Sequence, residues 1–362
     1  MITPTSPERR VFFFESGVTV HRDTVTYRMY RDIVCLARPS EGSRKTSSSV
    51  SSEDLVGCPV CEHFELQFGP SPIPRSLIWI DFTVIFVTGA AGQLGTALCS
   101  KLADACVGLS RDQLDLSDCA AIAALVESER PKVIINCAAY TAVDLAEDDP
   151  ASCRQINADA VAALAKSATK VGALLVQIST DYVFGGSTIA DGPNHEDSPL
   201  EAQGVYAQTK LAGEQHAQTC PDHLVVRTCG IYGHLPQPKN FVETMLRIGV
   251  DREELSVVDD QHCNPTSAST IADAVIALID AKARGVFHVA ASPPTTWCQF
   301  AREIFKQSDM VTRVVPITTE QFGAKAARPR HSVLDTSKYT RVTGKSLPTI
   351  ADDLAIYLAT RA

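Results

Sequence analysis

A tyrosine and a lysine spaced four residues apart are the first candidates for catalysis in this sequence. Tyr206 and Lys210 lie in the stretch GVYAQTKLAGE, residues 204–214. On a helix this spacing places both side chains on one face. A tyrosine can give a proton to a carbonyl oxygen, and a nearby lysine cation favours the phenolate and lowers the pKa of the phenol from about 10. We therefore predict that Tyr206 is a general acid and that Lys210 tunes it.

A hydroxyl residue at a strand end completes the candidate catalytic group. Thr180 follows the apolar run 173–178 and opens the stretch TDYVF. Ligands of an open parallel sheet lie beyond the carboxyl ends of its strands, which is where this residue should be. We predict that Thr180, with Ser179 beside it, binds a substrate carbonyl. Reduction of that carbonyl also requires a hydride donor.

A glycine-rich turn predicts the site of that donor. The run TVIFVT, residues 83–88, is followed by Gly89, Gly92 and Gly95 and then by a helical pattern. Such glycines make the tight turn, admit a pyrophosphate close to the backbone and let helix and strand pack closely. The phosphates then face the helix N-terminus. The sequence predicts a dinucleotide site here.

The end of the second predicted strand bears on which dinucleotide binds. Ser110 and Arg111 occupy its tip, where a basic residue accommodates the 2′-phosphate of NADP. We expect NADP(H), with NAD(H) as the alternative if Arg111 is only a solvated turn residue. Asp115 and Leu116 are expected to lie against the adenine.

Alternating strands and helices must position these residues. Short apolar runs alternate with helical spacing, with strands predicted over 83–89, 106–110, 132–140 and 173–180 and helices over about 93–104, 118–130 and 149–172. Ser117 is a predicted N-cap, Pro150 fits a first turn and Gly172 fits a helix stop. This order predicts an α/β fold, a doubly wound parallel (Rossmann) sheet.

Three segments are expected along the chain. Residues 1–82 contain a low-complexity run, 39–54, and read as a largely disordered, non-catalytic extension, or as a segment upstream of a translation start near Val84. Residues 83–230 should form the dinucleotide-binding domain with the catalytic residues. Residues 231–362 should mainly form a second lobe, with elements that return to the first domain.

Composition narrows the class of protein. The net charge of −9 argues against nucleic acid or an anionic membrane as the main partner. The sequence has no apolar run of about 18 residues and no evident secretory signal, so we expect a cytoplasmic protein. Twelve cysteines mostly occupy apolar segments, as reduced thiols do. Cys58 and Cys61 with His63 resemble half a zinc site, but no second pair follows, and no metal site is predicted.

Several longer stretches resemble one family, the dTDP-4-dehydrorhamnose reductases of the extended short-chain dehydrogenase/reductases. The resemblance runs from about Thr83 to the C-terminus and includes INCAAYTAVDLAEDDP (135–150), STDYVFGG (179–186), VVDDQHCNPT (257–266) and ARPRHSVLDTSK (327–338). It implies that NAD(P)H reduces the 4-keto group of dTDP-4-dehydro-6-deoxy-L-mannose to give dTDP-L-rhamnose. A homodimer and a Mg²⁺ ion are both compatible with the family, but no motif in the sequence specifies either.

The resemblance also assigns roles to individual residues. It implies that Thr180, Tyr206 and Lys210 are catalytic and that Lys210 also holds the nicotinamide ribose. It places Gly92, Gln93 and Leu94 at the pyrophosphate and a loop along the cofactor formed by Ala138, Ala139, Tyr140 and Thr141. It implies a smaller C-terminal α/β substrate domain, so that residues 231–362 would mainly form the nucleotide-sugar-binding lobe. It places the sugar nucleotide against Thr180, Asp181, Asn240, Gln261 and Arg328. For the last three, helix capping or pairing between domains is an equal alternative.

One departure from the family pattern concerns the sugar. The family segment R-T-x-W-x-Y reads here as RTCGIY, residues 227–232, so Gly230 stands where the family has a tryptophan. An epimerase or dehydratase of the same superfamily is a separate alternative, and it is disfavoured because no glutamate follows the aspartate in STDYVF. The glycine leaves the identity of the sugar open, but not the type of reaction. It also keeps open a non-catalytic regulatory subunit like the β subunit of methionine adenosyltransferase. The intact Thr180, Tyr206 and Lys210 favour the reductase.

Overall fold

The computed structural model describes residues 84–236 and 239–361, together with two short backbone segments near the N-terminus. These segments, Val20–His21 and Thr24–Val25, pair antiparallel within a unit that comprises Met1–Ile80. The second unit, Asp81–Ala362, is compact and contains every candidate catalytic residue. Cys58, Cys61 and the low-complexity run lie outside the described residues.

A parallel sheet of six strands forms the centre of the second unit. The strands are β1 (Ile85–Thr88), β2 (Cys106–Leu109), β3 (Val133–Asn136), β4 (Leu174–Thr180), β5 (His223–Thr228) and β8 (Gly285–His288). Their spatial order is β2-β1-β3-β4-β5-β8, and every pair is parallel. The chain reverses direction across the sheet between β1 and β3, which is where ligands bind in open α/β sheets. The predicted doubly wound fold is confirmed.

Helices connect the strands and cover both faces of the sheet. They are α1 (Gln93–Leu102), α2 (Cys119–Glu129), α3 (Val143–Ala146), α4 (Pro150–Arg154), α5 (Ala160–Val171) and α6 (Gly204–Ala217). One apolar cluster includes Leu94 and Leu98 of α1 under the sheet, and another includes Ile122 of α2 and Leu164 of α5 on its opposite face. Strands β1, β3 and β4 are buried on both faces, which explains their continuous apolar runs, whereas the edge strand β2 is partly exposed.

Two predicted helix boundaries are informative. Pro150 begins α4 and Gly172 ends α5 with a φ of +71°, as the sequence predicts. The N-cap of α2 is Asp118 rather than the predicted Ser117, because its carboxylate accepts hydrogen bonds from the amides of Ala120 and Ala121. A turn of π-helix, Gln155–Asp159, joins α4 to α5 and was not predicted.

The remaining elements follow β5. They are α7 (Phe241–Gly249), β6 (Glu254–Val258), β7 (His262–Cys263), α8 (Ala268–Asp280), β9 (Thr295–Thr296), α9 (Trp297–Gln307), β10 (Arg313–Ile317), α10 (Thr319–Phe322), α11 (Ser337–Thr343) and α12 (Ile350–Ala359). β10 pairs parallel with β6, and β9 pairs antiparallel with β7. A third apolar cluster gathers α7, α9 and α12. β8 joins the central sheet, so the chain after residue 230 does return to it.

Candidate active site

A cleft of about 1110 Å³ opens at the carboxyl ends of the central strands. It brings together most of the residues that the sequence predicts for cofactor and substrate: Gly89, Gly92, Gln93, Leu94, Gly95, Arg111, Asp115, Leu116, Ala138, Ala139, Tyr140, Thr141, Thr180, Asp181 and Tyr206. Ser110, Lys210, Asn240, Gln261 and Arg328 do not line it.

The glycine turn is shaped for an anionic ligand at the start of α1. Gly89 has a φ of +65°, and a Cβ there would lie 2.7 Å from the amide nitrogen of Ala138. A Cβ at Gly95 would lie 2.2 Å from the carbonyl oxygen of Gly89. Gly92 is the N-cap of α1, with no side-chain cap and no acidic residue in the first turn. The first amides of the helix therefore face the cleft without a competing carboxylate, which fits the pyrophosphate of a dinucleotide.

The side chain of Gln93 is hydrogen-bonded within the protein and does not face a ligand with a free polar group. Its Oε1 accepts hydrogen bonds from the amide of Gly233 at 2.8 Å and from Nδ2 of Asn240 at 2.8 Å. Because the side chain is used in this way, only the backbone of Gln93 is left for the predicted pyrophosphate contact.

The positively charged side chain of Arg111 lies just after the end of β2. Arg111 is exposed, lines the cleft and makes no hydrogen bond or ion pair with any residue the structure describes. Ser110 points elsewhere, because its hydroxyl and amide both donate to Oε1 of Gln113 at 2.9 Å. Asp115 lines the same part of the cleft, and hydrogen bonds from Ser117 lower the pKa of its carboxyl. The guanidinium of Arg111 is the group that fits a 2′-phosphate.

The π-helical turn holds the loop after β3. Asn157 is buried in this turn, accepts a hydrogen bond from the amide of Tyr140 at 2.8 Å and donates to its carbonyl at 3.1 Å. A Cβ at Gly213 of α6 would lie 2.1 Å from the carbonyl oxygen of Asn157, so the helix packs directly on the turn. This arrangement fixes the loop 138–141 along the cleft, and π turns often occur at functional sites.

Thr180 ends β4 at the floor of the cleft. Its hydroxyl donates to Oδ1 of Asp181 at 3.2 Å and accepts from the amide of Tyr182 at 3.2 Å. Asp181 also accepts from the hydroxyl of Ser332 at 2.5 Å. Burial raises the pKa of the Asp181 carboxyl above its ordinary value, and the hydrogen bonds from its neighbours oppose that rise.

Tyr206 projects from α6 to Thr180. Its ring makes an edge contact with the ring of Tyr182, with centroids 5.5 Å apart. Burial raises the pKa of the Tyr206 phenol well above 10, while a side-chain hydrogen bond with Thr180 works in the opposite direction. The lowered pKa expected from the sequence assumes both the lysine cation and the positive charge of the bound cofactor. In the protein alone the pKa is raised, because desolvation outweighs the neighbouring groups. A protonated phenol at neutral pH is nonetheless the form that a general acid requires.

Lys210 lies one helical turn further along α6. It is buried, and its ammonium donates to the carbonyl oxygen of Ile178 at 2.6 Å. Burial lowers the pKa of Lys210 to about 8, although the charge of Glu214 favours the ammonium. Lys210 therefore sits beneath the cleft wall, where it links α6 to β4.

A buried ion pair supports this helix from below. The carboxylate of Glu214 accepts from Arg227 of β5 at 2.8 Å and from the hydroxyl of Ser179 at 2.5 Å. Arg227 and Glu214 are essentially inaccessible to solvent. These contacts tie α6 to β4, which ends at Thr180, and to the neighbouring strand β5.

Three predicted substrate residues have other partners. Asn240 caps α7 by accepting from the amide of Glu243 at 2.9 Å. Gln261 donates to the hydroxyl of Thr319 at 3.0 Å. Arg328 donates to both carboxylate oxygens of Asp144, at 3.0 and 2.7 Å. Asn240 and Arg328 thus have the capping role and the pairing between domains that the sequence left as alternatives to a substrate contact, whereas the partner of Gln261 lies in the same C-terminal segment.

The cleft also contains residues that the motifs did not predict. Leu235 and Lys239 line it from the segment before α7, and Trp297 lines it from the first turn of α9. No spacing signal marks these residues, because they come from loops and a helix far along the chain. Among the described residues, no cluster of histidine, cysteine and acidic side chains is suited to a metal ion, and no helix is long and apolar enough to cross a membrane.

Known proteins share this fold and sequence. The profile of the family described as RmlD substrate binding domain matches residues 83–362. A dTDP-4-dehydrorhamnose reductase of Streptomyces griseus is 40% identical over 280 residues, which cover 74% of this chain and 88% of that protein. A crystal structure of a dTDP-4-dehydrorhamnose reductase from Clostridium acetobutylicum superposes with a TM-score of 0.72 at 37% identity and covers 76% of this chain and 98% of that one.

A second solved structure concerns the cofactor directly. The dTDP-4-dehydrorhamnose reductase of Bacillus anthracis, in complex with NADP, superposes with a TM-score of 0.73 at 34% identity, covering 77% of this chain and 99% of that one. Sequence and structure thus agree over the whole unit that contains the cleft. The chain belongs to the RmlD substrate-binding-domain family, the family of the dTDP-4-dehydrorhamnose reductases.

Proposed function

We propose that the protein is an NADPH-dependent reductase that converts the 4-keto group of dTDP-4-dehydro-6-deoxy-L-mannose to the alcohol of dTDP-L-rhamnose. The observation that carries this proposal is the meeting, in one cleft, of the open N-terminus of α1 with Thr180 and Tyr206. The relatives named as dTDP-4-dehydrorhamnose reductases, one of them solved with NADP, support both substrate and cofactor.

The cofactor is proposed to lie across the glycine turn. The first amides of α1 would hold its pyrophosphate, Arg111 its 2′-phosphate and the loop 138–141 its nicotinamide half. When bound, NADPH supplies the hydride for the carbonyl carbon. The glycines at 89 and 95 keep the turn free of side chains that would collide with the protein's own backbone.

The proton is proposed to come from Tyr206. Its phenol is protonated at neutral pH, since the ordinary pKa of tyrosine is about 10 and burial raises it further. Thr180, in contact with it, orients the keto oxygen, and Tyr206 passes its proton to that oxygen as negative charge develops there. Lys210 is a cation below pH 8, and it keeps α6 in register with β4 through the carbonyl of Ile178.

The test compares two tyrosines in the same cleft. Consumption of NADPH is measured with dTDP-4-dehydro-6-deoxy-L-mannose for the wild type, Tyr206→Phe and Tyr182→Phe. We expect Tyr206→Phe to lose a factor of about 10² to 10⁴ in kcat and to retain NADPH binding, because only the proton donor is removed. Tyr182→Phe loses a hydroxyl from the adjacent ring and should stay within about tenfold of the wild type. A wild type that binds NADPH but consumes none would refute the reductase.

A further inference from the structure

A tryptophan lies directly over the glycine that departs from the family pattern. Gly230 has a φ of +51°, and a Cβ there would lie 2.9 Å from Cη2 of Trp297. The tip of the indole therefore occupies the space that any side chain at position 230 would need. Both residues line the cleft together with Thr180 and Tyr206.

The sheet register places this indole beside the reactive residues. Thr180 of β4 is paired with Thr228 of β5, so Cys229 and Gly230 continue from the same edge of the sheet as Thr180. The cleft side of Gly230 is thus the side on which a keto group bound by Thr180 and Tyr206 has to lie. Trp297 reaches this point from the first turn of α9.

The indole of Trp297 packs against the ring of Phe241, and its Nε1 has no hydrogen-bond partner among the described residues. The ring of Phe241 packs against it with centroids 4.8 Å apart, and both rings belong to the third apolar cluster. Thr296 caps α9 at the residue before it. Trp297 is half-buried, and its Nε1 donates to no residue within the described part of the chain. The indole therefore contributes a largely apolar aromatic surface to the lining of the cleft.

We propose that Trp297 is a specificity-determining residue whose indole forms the wall against the deoxysugar of the substrate. This inference rests on the proposed function. A 6-deoxysugar has an apolar C–H face and a methyl group, and both suit an aromatic surface. A glycine suits position 230 because the backbone there is left-handed, with a φ of +51°, and because the indole, from another element, fills the space beside it. The sugar wall is thus supplied by α9 rather than by the segment after β5.

The first test uses the fact that the chain has two tryptophans, Trp79 and Trp297. In Trp79→Phe the indole of Trp297 is the only one, and its fluorescence is titrated with dTDP-L-rhamnose and, separately, with dTDP. We expect dTDP-L-rhamnose to change the emission strongly and dTDP to change it weakly. No change with dTDP-L-rhamnose, or an equal change with both, would overturn the inference, because the ring would then not face the sugar.

The second test separates binding from chemistry. Trp297→Ala should raise KM for the sugar nucleotide about tenfold, with kcat within about threefold and Kd for NADPH unchanged, whereas Trp297→Phe should stay close to the wild type. Gly230→Ala should also raise KM, since its methyl group would displace the indole. Unfolding temperatures establish that each variant is folded. An unchanged KM in Trp297→Ala and Gly230→Ala refutes the inference.

The two proposals fail in different ways. If the wild type shows no turnover but the fluorescence of Trp297 still responds selectively to dTDP-L-rhamnose, the reductase proposal is refuted. The proposal that Trp297 contacts the sugar is then still supported. If the wild type turns over normally but Trp297→Ala has no effect on KM, the proposed contact between Trp297 and the sugar is refuted. The reductase proposal is then still supported.

Discussion

At the scale of single residues, the state of the reactive pair is decided by burial more than by mutual charge. Tyr206 has its pKa raised and Lys210 has its pKa lowered, and desolvation is the largest cause for each. Both shifts favour the neutral forms of the two groups. The resting protein therefore presents a protonated acid, and it is the lysine that changes its charge close to physiological pH.

This has a consequence for the pH dependence of catalysis. The ammonium of Lys210 is present below pH 8 and is lost as pH rises through that value. We expect kcat/KM, which reports groups of the free enzyme, to fall above about pH 8. In Lys210→Arg this fall should disappear, because a guanidinium stays charged over the whole range. A fall at the same pH in the arginine variant would contradict the assignment.

The same residue links pH to stability, and this gives a readout that does not depend on activity. The pKa of Lys210 in the unfolded chain, about 10.4, exceeds its folded value, so the proton favours the unfolded state. The penalty is fully present below pH 8 and is relieved as pH rises toward 10.4. Urea unfolding at pH 7 and pH 10 should therefore show the wild type gaining stability relative to Lys210→Met.

Arg111 carries a prediction about cofactor choice. Its side chain lines the cleft without a hydrogen-bonding partner among the described residues, as expected of a group reserved for a phosphate. Arg111→Ser should weaken NADPH binding about tenfold and leave NADH binding nearly unchanged, because only NADPH carries the 2′-phosphate. The measurement is Kd for both cofactors by energy transfer or calorimetry. Equal losses for NADPH and NADH would mean that Arg111 does not contact that phosphate.

At the scale of elements, the connection from β1 to α1 is built around close backbone contact. Gly89 and Gly172 both have left-handed backbones, with φ values of +65° and +71°. Nothing lies within 4 Å of a Cβ at Gly172, whereas one at Gly89 would meet the backbone of Ala138. The two glycines thus form a matched pair that differs in surroundings and not in conformation.

The comparison of Gly89→Ala with Gly172→Ala uses that difference. Gly172→Ala should lose about 1–2 kcal/mol of stability, since alanine disfavours a left-handed backbone, and Gly89→Ala should lose more, because its Cβ also meets the backbone of Ala138. Only Gly89→Ala should in addition lose NADPH binding by tenfold or more, roughly, because the loop 138–141 must shift. Kd for NADPH and the free energy of unfolding are measured for both. Similar NADPH affinities in the two variants would show that the turn does not hold the cofactor.

At the scale of the whole molecule, residues 81–362 form a compact unit that contains the cleft and every reactive group. The family profile covers almost the same residues, 83–362. A chain that begins at Asp81 should therefore keep kcat/KM within about twofold and its melting temperature within about 2 °C of the full chain. A large loss of either would show that the residues before Asp81 stabilise the unit.

The sequence by itself determined the parts of the site that lie within one strand–turn–helix unit. The glycine turn, the pair Tyr206 and Lys210, and Thr180 at a strand end could be located because their spacing and the strand and helix periods are local properties. The alternation of those periods also predicted the parallel sheet, since only right-handed crossovers connect such strands. Residues predicted in this way line the cleft or lie directly beneath it.

Only the tertiary structure decided which distant residues meet there. Trp297 covers Gly230 although 67 positions separate them, Arg328 pairs with Asp144 across 184 positions, and the ammonium of Lys210 ends on the carbonyl of Ile178. Local periodicity does not encode such contacts, because they depend on how whole elements pack against each other. The same packing removes water from Tyr206 and Lys210, so their protonation also followed from the fold rather than from their spacing.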